Sequence, residues 1–187
     1  MLFFLLACSG SIAPTDNPQD THETARDTGE RDPIRDLDAS SLPQTDSPCR
    51  TPEVVFVKDV LDGDTLKVEG KWGGETVRLI GINTPEMNYD TQSPECWAQE
   101  ALSALETQVK DKWVWLSFDK ECEDHFERTL AYVHRGTEIE DFSQRALLRG
   151  GHAQAYKVNP NKHFHSLFSA DENYAKNQNN GQWGGCP

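Results

Sequence analysis

Asp62, Asp64, Arg78, Asn83, Thr84, Glu86 and Arg128 are the residues whose types and spacing could do chemistry. Asp62-Gly63-Asp64-Thr65 is an acidic turn, and Arg78-Leu79-Ile80-Gly81-Ile82-Asn83-Thr84-Pro85-Glu86 follows it after one short strand. Two carboxylate-bearing turns and a guanidinium then bracket a gap the size of a phosphate. Carboxylates hold a hard cation, and an arginine fork matches phosphate oxygens, so the set suits metal-assisted phosphodiester hydrolysis. Each piece alone has a plainer reading. Asp-Gly is a common hairpin turn, Thr84-Pro85-Glu86 could open a loop, and Arg78 could pair with Glu69 or Glu75 on a strand surface. The order and number of the pieces favour a site.

The elements that must position these groups read as follows. Val54–Val60, Thr65–Glu69 and Thr76–Ile82 are β-rich runs separated by Asp-Gly and Gly-rich turns, which predicts a three-stranded meander. Trp97, Ala101, Leu102, Leu105 and Val109 share one helical face. Trp113–Phe118 and Thr129–His134 are a fourth and a fifth strand. Helices are expected over Ile139–Arg149, closed by Gly150-Gly151, and over His165–Lys176, with Trp183 packing back from a Gly- and Asn-rich tail. Five strands with a helix after the third imply an α+β, mainly β domain: a five-stranded oligonucleotide-binding barrel with about three helices.

The chain has 187 residues and a formal net charge of -13, enough for one ordinary domain. Three regions are expected: 1–8, 9–52 and 53–187. Met1 to Cys8 is apolar but too short to cross a bilayer, and Leu5-Leu6-Ala7-Cys8 looks like the lipobox of bacterial lipoproteins. That resemblance implies lipidation at Cys8, export, and membrane anchorage facing the periplasm or the cell exterior. Ser9 to Cys49 holds nine acidic and three basic residues and few large apolar ones. Such a stretch buries too little surface to offset its ordering entropy, so 9–52 reads as a disordered acidic linker. From Val54 onward there are 21 acidic and 14 basic residues. A body of that sign must concentrate positive charge locally to hold a polyanion.

Without Cys8, four cysteines remain, which suits an oxidising compartment and allows three pairings. The preferred one joins Cys96 to Cys122 and clips the domain ends through Cys49 and Cys186. Their spacing lacks CxxC, which argues against zinc. His163 and His165 lack an evident third ligand, and His125 and His134 are given no catalytic role. Trp97, Trp113 and Trp115 fall within regular elements and are assigned to the core.

From Val54 to Trp183 the motifs resemble the staphylococcal nuclease (thermonuclease) family. The two motifs above and Glu127-Arg128-Thr129-Leu130-Ala131-Tyr132-Val133 stand in that family's order at similar spacing. The resemblance implies the oligonucleotide-binding barrel and calcium-dependent cleavage of DNA and RNA. It implies Ca2+ ligands at Asp64 and at the Thr84 carbonyl, with Asp62 close by to hold coordinated water. Glu86 would be the general base, Arg78 and Arg128 would grip the phosphate, and Tyr156 would contact the nucleotide. Asn83 departs from the family's metal-binding aspartate. An amide keeps one oxygen ligand and loses a charge, so weaker metal affinity is expected rather than a dead site. The partners implied are single-stranded DNA or RNA and, through Cys8, a membrane, with the protein a monomer. A catalytically weakened nucleic-acid-binding module is the alternative. A surface-tethered interaction protein rests on net charge alone, which says little about a site.

Overall fold

The computed structural model describes residues 32–71 and 73–187. The lipobox, Cys8 and the linker to residue 31 lie outside them. Strands β1 (Glu53–Asp62), β2 (Thr65–Gly70), β3 (Gly73–Leu79), β5 (Trp113–Ser117) and β6 (Thr129–His134) form a closed barrel in the order β1-β2-β3-β6-β5. All neighbours are antiparallel except β3 and β6. This is the five-stranded oligonucleotide-binding barrel. Alternating apolar residues fill it, among them Val55, Val57, Leu66, Val68, Val77, Leu79, Val114 and Val133.

The expected meander is present, but the third strand stops earlier than its sequence suggests. The chain turns at Ile80-Gly81, and β4 (Ile82–Asn83) leaves the barrel to pair with β7 (Gln154–Ala155). The break is made by Gly81, at φ +85°, where a Cβ would sit 2.6 Å from the Phe168 ring. Both the left-handed backbone and the close ring require glycine there. Buried Gln144 holds the same corner: it accepts from the Val133 N–H and donates to the carbonyls of Ala131 and Ile80.

Helix α1 (Ala98–Val109) buries Ala98, Ala101, Leu105 and Val109, the face its periodicity indicates. The helix expected over 139–149 is divided. A 3-10 turn over Ile139–Asp141 and an extended Phe142 precede α2 (Ser143–Arg149). α3 (His165–Gln178) is tied to α2 by buried Asp171, whose carboxylate accepts from Arg145 at 2.7 and 3.1 Å and from Arg149 at 3.0 Å. α4 (Gln182–Gly185) carries half-buried Trp183, with the Lys176 ammonium 4.4 Å from its ring.

Two expectations are corrected. The part of the acidic linker that is described, residues 32–52, packs on the barrel. Ile34 and Leu42 are buried against Trp115, and Thr45 Oγ1 donates to the Phe118 carbonyl at 2.7 Å. A few apolar residues spaced through a polar stretch suffice once a tryptophan-rich strand offers them a surface. The disulfides are Cys49–Cys122 and Cys96–Cys186, not the preferred pairing. Residues 45–49 run along the exit of β5, where Cys49 N–H donates to the Asp119 carbonyl. Cys49 thus meets the β5–β6 connection, and the chain's end meets the start of α1.

Candidate active site

Six of the expected residues converge at the turn of the β1–β2 hairpin. Asp62 and Asp64 flank Gly63, whose missing side chain lets Thr84 and Ala101 approach; a Cβ there would lie 2.8 Å from Thr84 Oγ1 and 2.9 Å from the Ala101 Cβ. The Asp62 carboxylate accepts from the Gly63 N–H at 2.7 Å. Thr65 is the register partner of Arg78, so antiparallel pairing brings Asp64 beside the arginine. Asp64, 4% exposed, accepts at Oδ2 from Arg78 Nη2 at 2.9 Å and from the Thr84 N–H at 3.1 Å. Its Oδ1 accepts from Thr65 Oγ1 at 3.1 Å.

Arg78 is fixed by four acceptors. Besides Asp64, Nη1 donates to the carbonyls of Leu79 and Ile82 at 2.6 and 3.1 Å, and Nη2 to Asn83 Oδ1 at 3.0 Å. Asn83 Nδ2 donates in turn to the Thr84 carbonyl at 3.3 Å. The departure from aspartate thus has a geometric consequence. The amide oxygen faces the guanidinium, and the amide nitrogen satisfies the Thr84 carbonyl.

The electrostatics are those of crowded carboxylates. Burial pushes the Asp64 carboxyl above its ordinary range, against the pull of Arg78 and the Thr84 N–H. Glu86 is raised to about 6 by partial desolvation, the charges of Asp62 and Asp64, and a hydrogen bond to Asp62 that favours its protonated form. Such a cluster is relieved by a proton or by a cation. Asp64, Asn83 Oδ1, the Thr84 carbonyl and Asp62 supply only hard oxygens, so the donor set fits calcium in kind.

Arg128 stands apart from this hydrogen-bonded group. It precedes β6, where Leu130 is the register partner of Arg78. Its guanidinium is held by Asp124 at 2.7 and 2.8 Å and lies 5.4 Å from the Phe126 ring. Tyr156, 53% exposed, follows β7 and donates its N–H to the Gly81 carbonyl. Three features escaped the sequence reading. Asp124 carries Arg128, and Phe126 is an exposed ring beside it. Exposed Tyr89 donates its hydroxyl to the Leu61 carbonyl at 2.8 Å, latching the 84–97 loop to the acidic turn. The Asp-x-Phe-x-Arg spacing was available as a signal for the first two; nothing local marks the third.

A family profile described as staphylococcal nuclease homologue matches residues 76–185. The chain belongs to that family. Membership places it among phosphodiester hydrolases. The thermonuclease of Staphylococcus intermedius is 31% identical over 131 residues, covering 70% of this chain and 76% of that one. Endonuclease YncB of Bacillus subtilis (strain 168) is 28% identical over 194 residues, covering 98% and 87%. The SPbeta prophage-derived endonuclease YokF of the same strain is 32% identical over 132 residues, covering 69% and 43%.

Proposed function

We propose that this family member is a calcium-dependent nuclease that hydrolyses phosphodiester bonds of single-stranded DNA or RNA. The observation that carries the reading is the convergence of Asp62, Asp64 and Glu86 on one arginine-lined point, with Glu86 raised to about 6 by its neighbours. A carboxylate so tuned accepts a proton near neutral pH more readily than an ordinary one. Arg78 and Arg128 neutralise the phosphodiester and favour the more highly charged transition state. Glu86 takes a proton from the attacking water, the hydroxide oxygen bonds to phosphorus, and the bond to the leaving ester oxygen breaks, that oxygen keeping the electron pair and taking up a proton from solvent to leave as the alcohol. Asp64, Asn83 Oδ1 and the Thr84 carbonyl would hold calcium, with Asp62 ordering its water shell. The bound ion supplies charge neutralisation and Lewis acidity. Tyr156 offers an exposed ring to the nucleotide.

Asn83 supports a second reading, a nucleic-acid-binding module with weakened catalysis. Its oxygen is engaged by Arg78 and its nitrogen by the Thr84 carbonyl, so two candidate ligands are already satisfied within the protein. Hydrolysis of labelled single-stranded DNA and RNA across a calcium titration separates the two. Calcium-dependent cleavage that Glu86→Gln abolishes supports the nuclease. A folded protein that binds the strands but cleaves neither at any metal concentration sinks it.

Export and anchorage belong to the same proposal. Cys8 would carry lipid, with the acidic segment that follows as tether, and the two disulfides suit an oxidising compartment. Release of the protein from membranes by Cys8→Ser is the expected result. Unchanged membrane association of that variant contradicts the anchor.

A further inference from the structure

Glu86 has no regular element to hold it, since residues 84–97 form neither helix nor strand. Its backbone is fixed by Glu95 instead. The Glu86 N–H donates to Glu95 Oε2 at 3.0 Å, and the Glu95 N–H donates to the Glu86 carbonyl at 2.9 Å. These two bonds close the neck of the 86–95 loop. The next residue, Cys96, is covalently joined to Cys186.

Cys186 leads back to the site. Its N–H donates to the Gln182 carbonyl at 3.2 Å, and Gln154 Nε2 donates to Gln182 Oε1 at 2.9 Å. Gln154 is the register partner of Asn83 on β4. The path from Asn83 through Glu86, Glu95, Cys96, Cys186, Gln182 and Gln154 is therefore a closed circuit. It borders a polar cleft of about 490 Å³. The far side is packed tightly. A Cβ on Gly185 would lie 2.2 Å from the Trp97 ring, whose Nε1 donates to His152 Nδ1 at 3.1 Å.

We infer that the Cys96–Cys186 disulfide and the Glu95 side chain are positioning elements for Glu86, holding the loop neck at a fixed distance from Asn83 and Asp64. The inference rests on the assignment of Glu86 as the base. Opening the circuit at the disulfide leaves the loop held by the flanking chain, its two neck hydrogen bonds and the Tyr89 latch to Leu61. A displacement of about 1 Å at a reacting group costs on the order of a hundredfold in rate.

The test uses the full chain with Cys96→Ser/Cys186→Ser, Glu95→Ala and Glu95→Gln. Steady-state cleavage of labelled DNA and amide hydrogen exchange at Glu86 are both followed, at a temperature where circular dichroism shows each variant folded. The double-serine variant and Glu95→Ala are expected to lose about ten- to a hundredfold in kcat with KM within about twofold, and to expose the Glu86 amide. Glu95→Gln keeps an acceptor oxygen and is expected to retain both kcat and protection. Cys49→Ser/Cys122→Ser, which opens the other large loop, is expected to keep the Glu86 amide protected. Unchanged kcat and protection in the double-serine variant overturn the inference. A folded parent chain that does not cleave sinks the nuclease reading instead; amide exchange then still decides whether the circuit holds Glu86.

Discussion

Asn83 and Glu86 are where the proposed chemistry can be measured one residue at a time. Asn83→Asp places a carboxylate where Arg78 now meets an amide oxygen. Each added ligand charge strengthens a hard-cation site. The half-saturating calcium concentration for cleavage should fall about tenfold, equivalent to about 1.4 kcal/mol. An unchanged or higher value would mean that Arg78 neutralises the added charge. Glu86 titrates at about 6 in the fold against an ordinary 4.5. Between those values the folded protein holds more protons than the unfolded chain, so stability falls as pH rises through this window and then levels off. Asp64, also raised, adds a slope of the same sign. Buried His134 and His152, both lowered, add a slope of opposite sign below about pH 6.5, so the Glu86 contribution is read as a difference: in denaturant titrations of metal-free protein, Glu86→Gln should gain stability relative to the parent as pH rises through this window. An identical pH slope in that variant would place the proton elsewhere.

At the scale of elements, the decisive feature is the corner between β3 and β4. It takes Asn83 and Thr84 out of the barrel and lays them against the Asp62-Gly63-Asp64 turn. Gly81→Ala would force a left-handed alanine against the Phe168 ring. Strain and overpacking each cost about 1–3 kcal/mol. The variant should lose at least about 2 kcal/mol in urea unfolding. A loss below about 0.5 kcal/mol would show that the corner opens easily. The sequence announced this strand as continuous through Ile82, because Leu79-Ile80-Gly81-Ile82 is apolar throughout. Only the closure of β3 against β6, capped by Gln144, shows where the barrel ends.

For the whole molecule, charge and covalent closure govern behaviour. A chain of net charge -13 repels nucleic acid in bulk and meets it through few cations. Each neutralised phosphate contributes about -0.7 to the log–log salt slope of single-strand binding. Two arginines thus imply a shallow slope of about -1.4 in the affinity of an uncleavable strand. Arg128→Ala should reduce its size by about 0.7. A slope steeper than about -4 would reveal an additional basic surface. The disulfides span 73 and 90 residues of sequence. Loops of that size restrict the unfolded chain by about 4–5 kcal/mol each in the chain-entropy view. Reduction should therefore lower the denaturation midpoint substantially, and an unchanged midpoint would mean that the native packing alone carries the fold.

By itself the sequence determined the strand-forming runs, the face of α1, and the acidic turn and arginine that form the core of the candidate site. These depend on local propensity, on periodicity, and on register between neighbours in the chain, all of which a linear pattern encodes. Long-range closure decided the rest. Cys49 pairs with Cys122 because residues 45–49 run along β5, and Cys96 pairs with Cys186 because α4 packs on Trp97. Residues 34–42, polar in composition, order themselves because Trp115 gives Ile34 and Leu42 a surface to bury against. Arg128 is held by Asp124 and Glu86 by Glu95, each within a single loop; the Asp-x-Phe-x-Arg spacing signals the first, and only the folded loop brings the second together. Pairings among distant segments are fixed by which surfaces the closed barrel leaves facing one another, and that is a property of the packed chain alone.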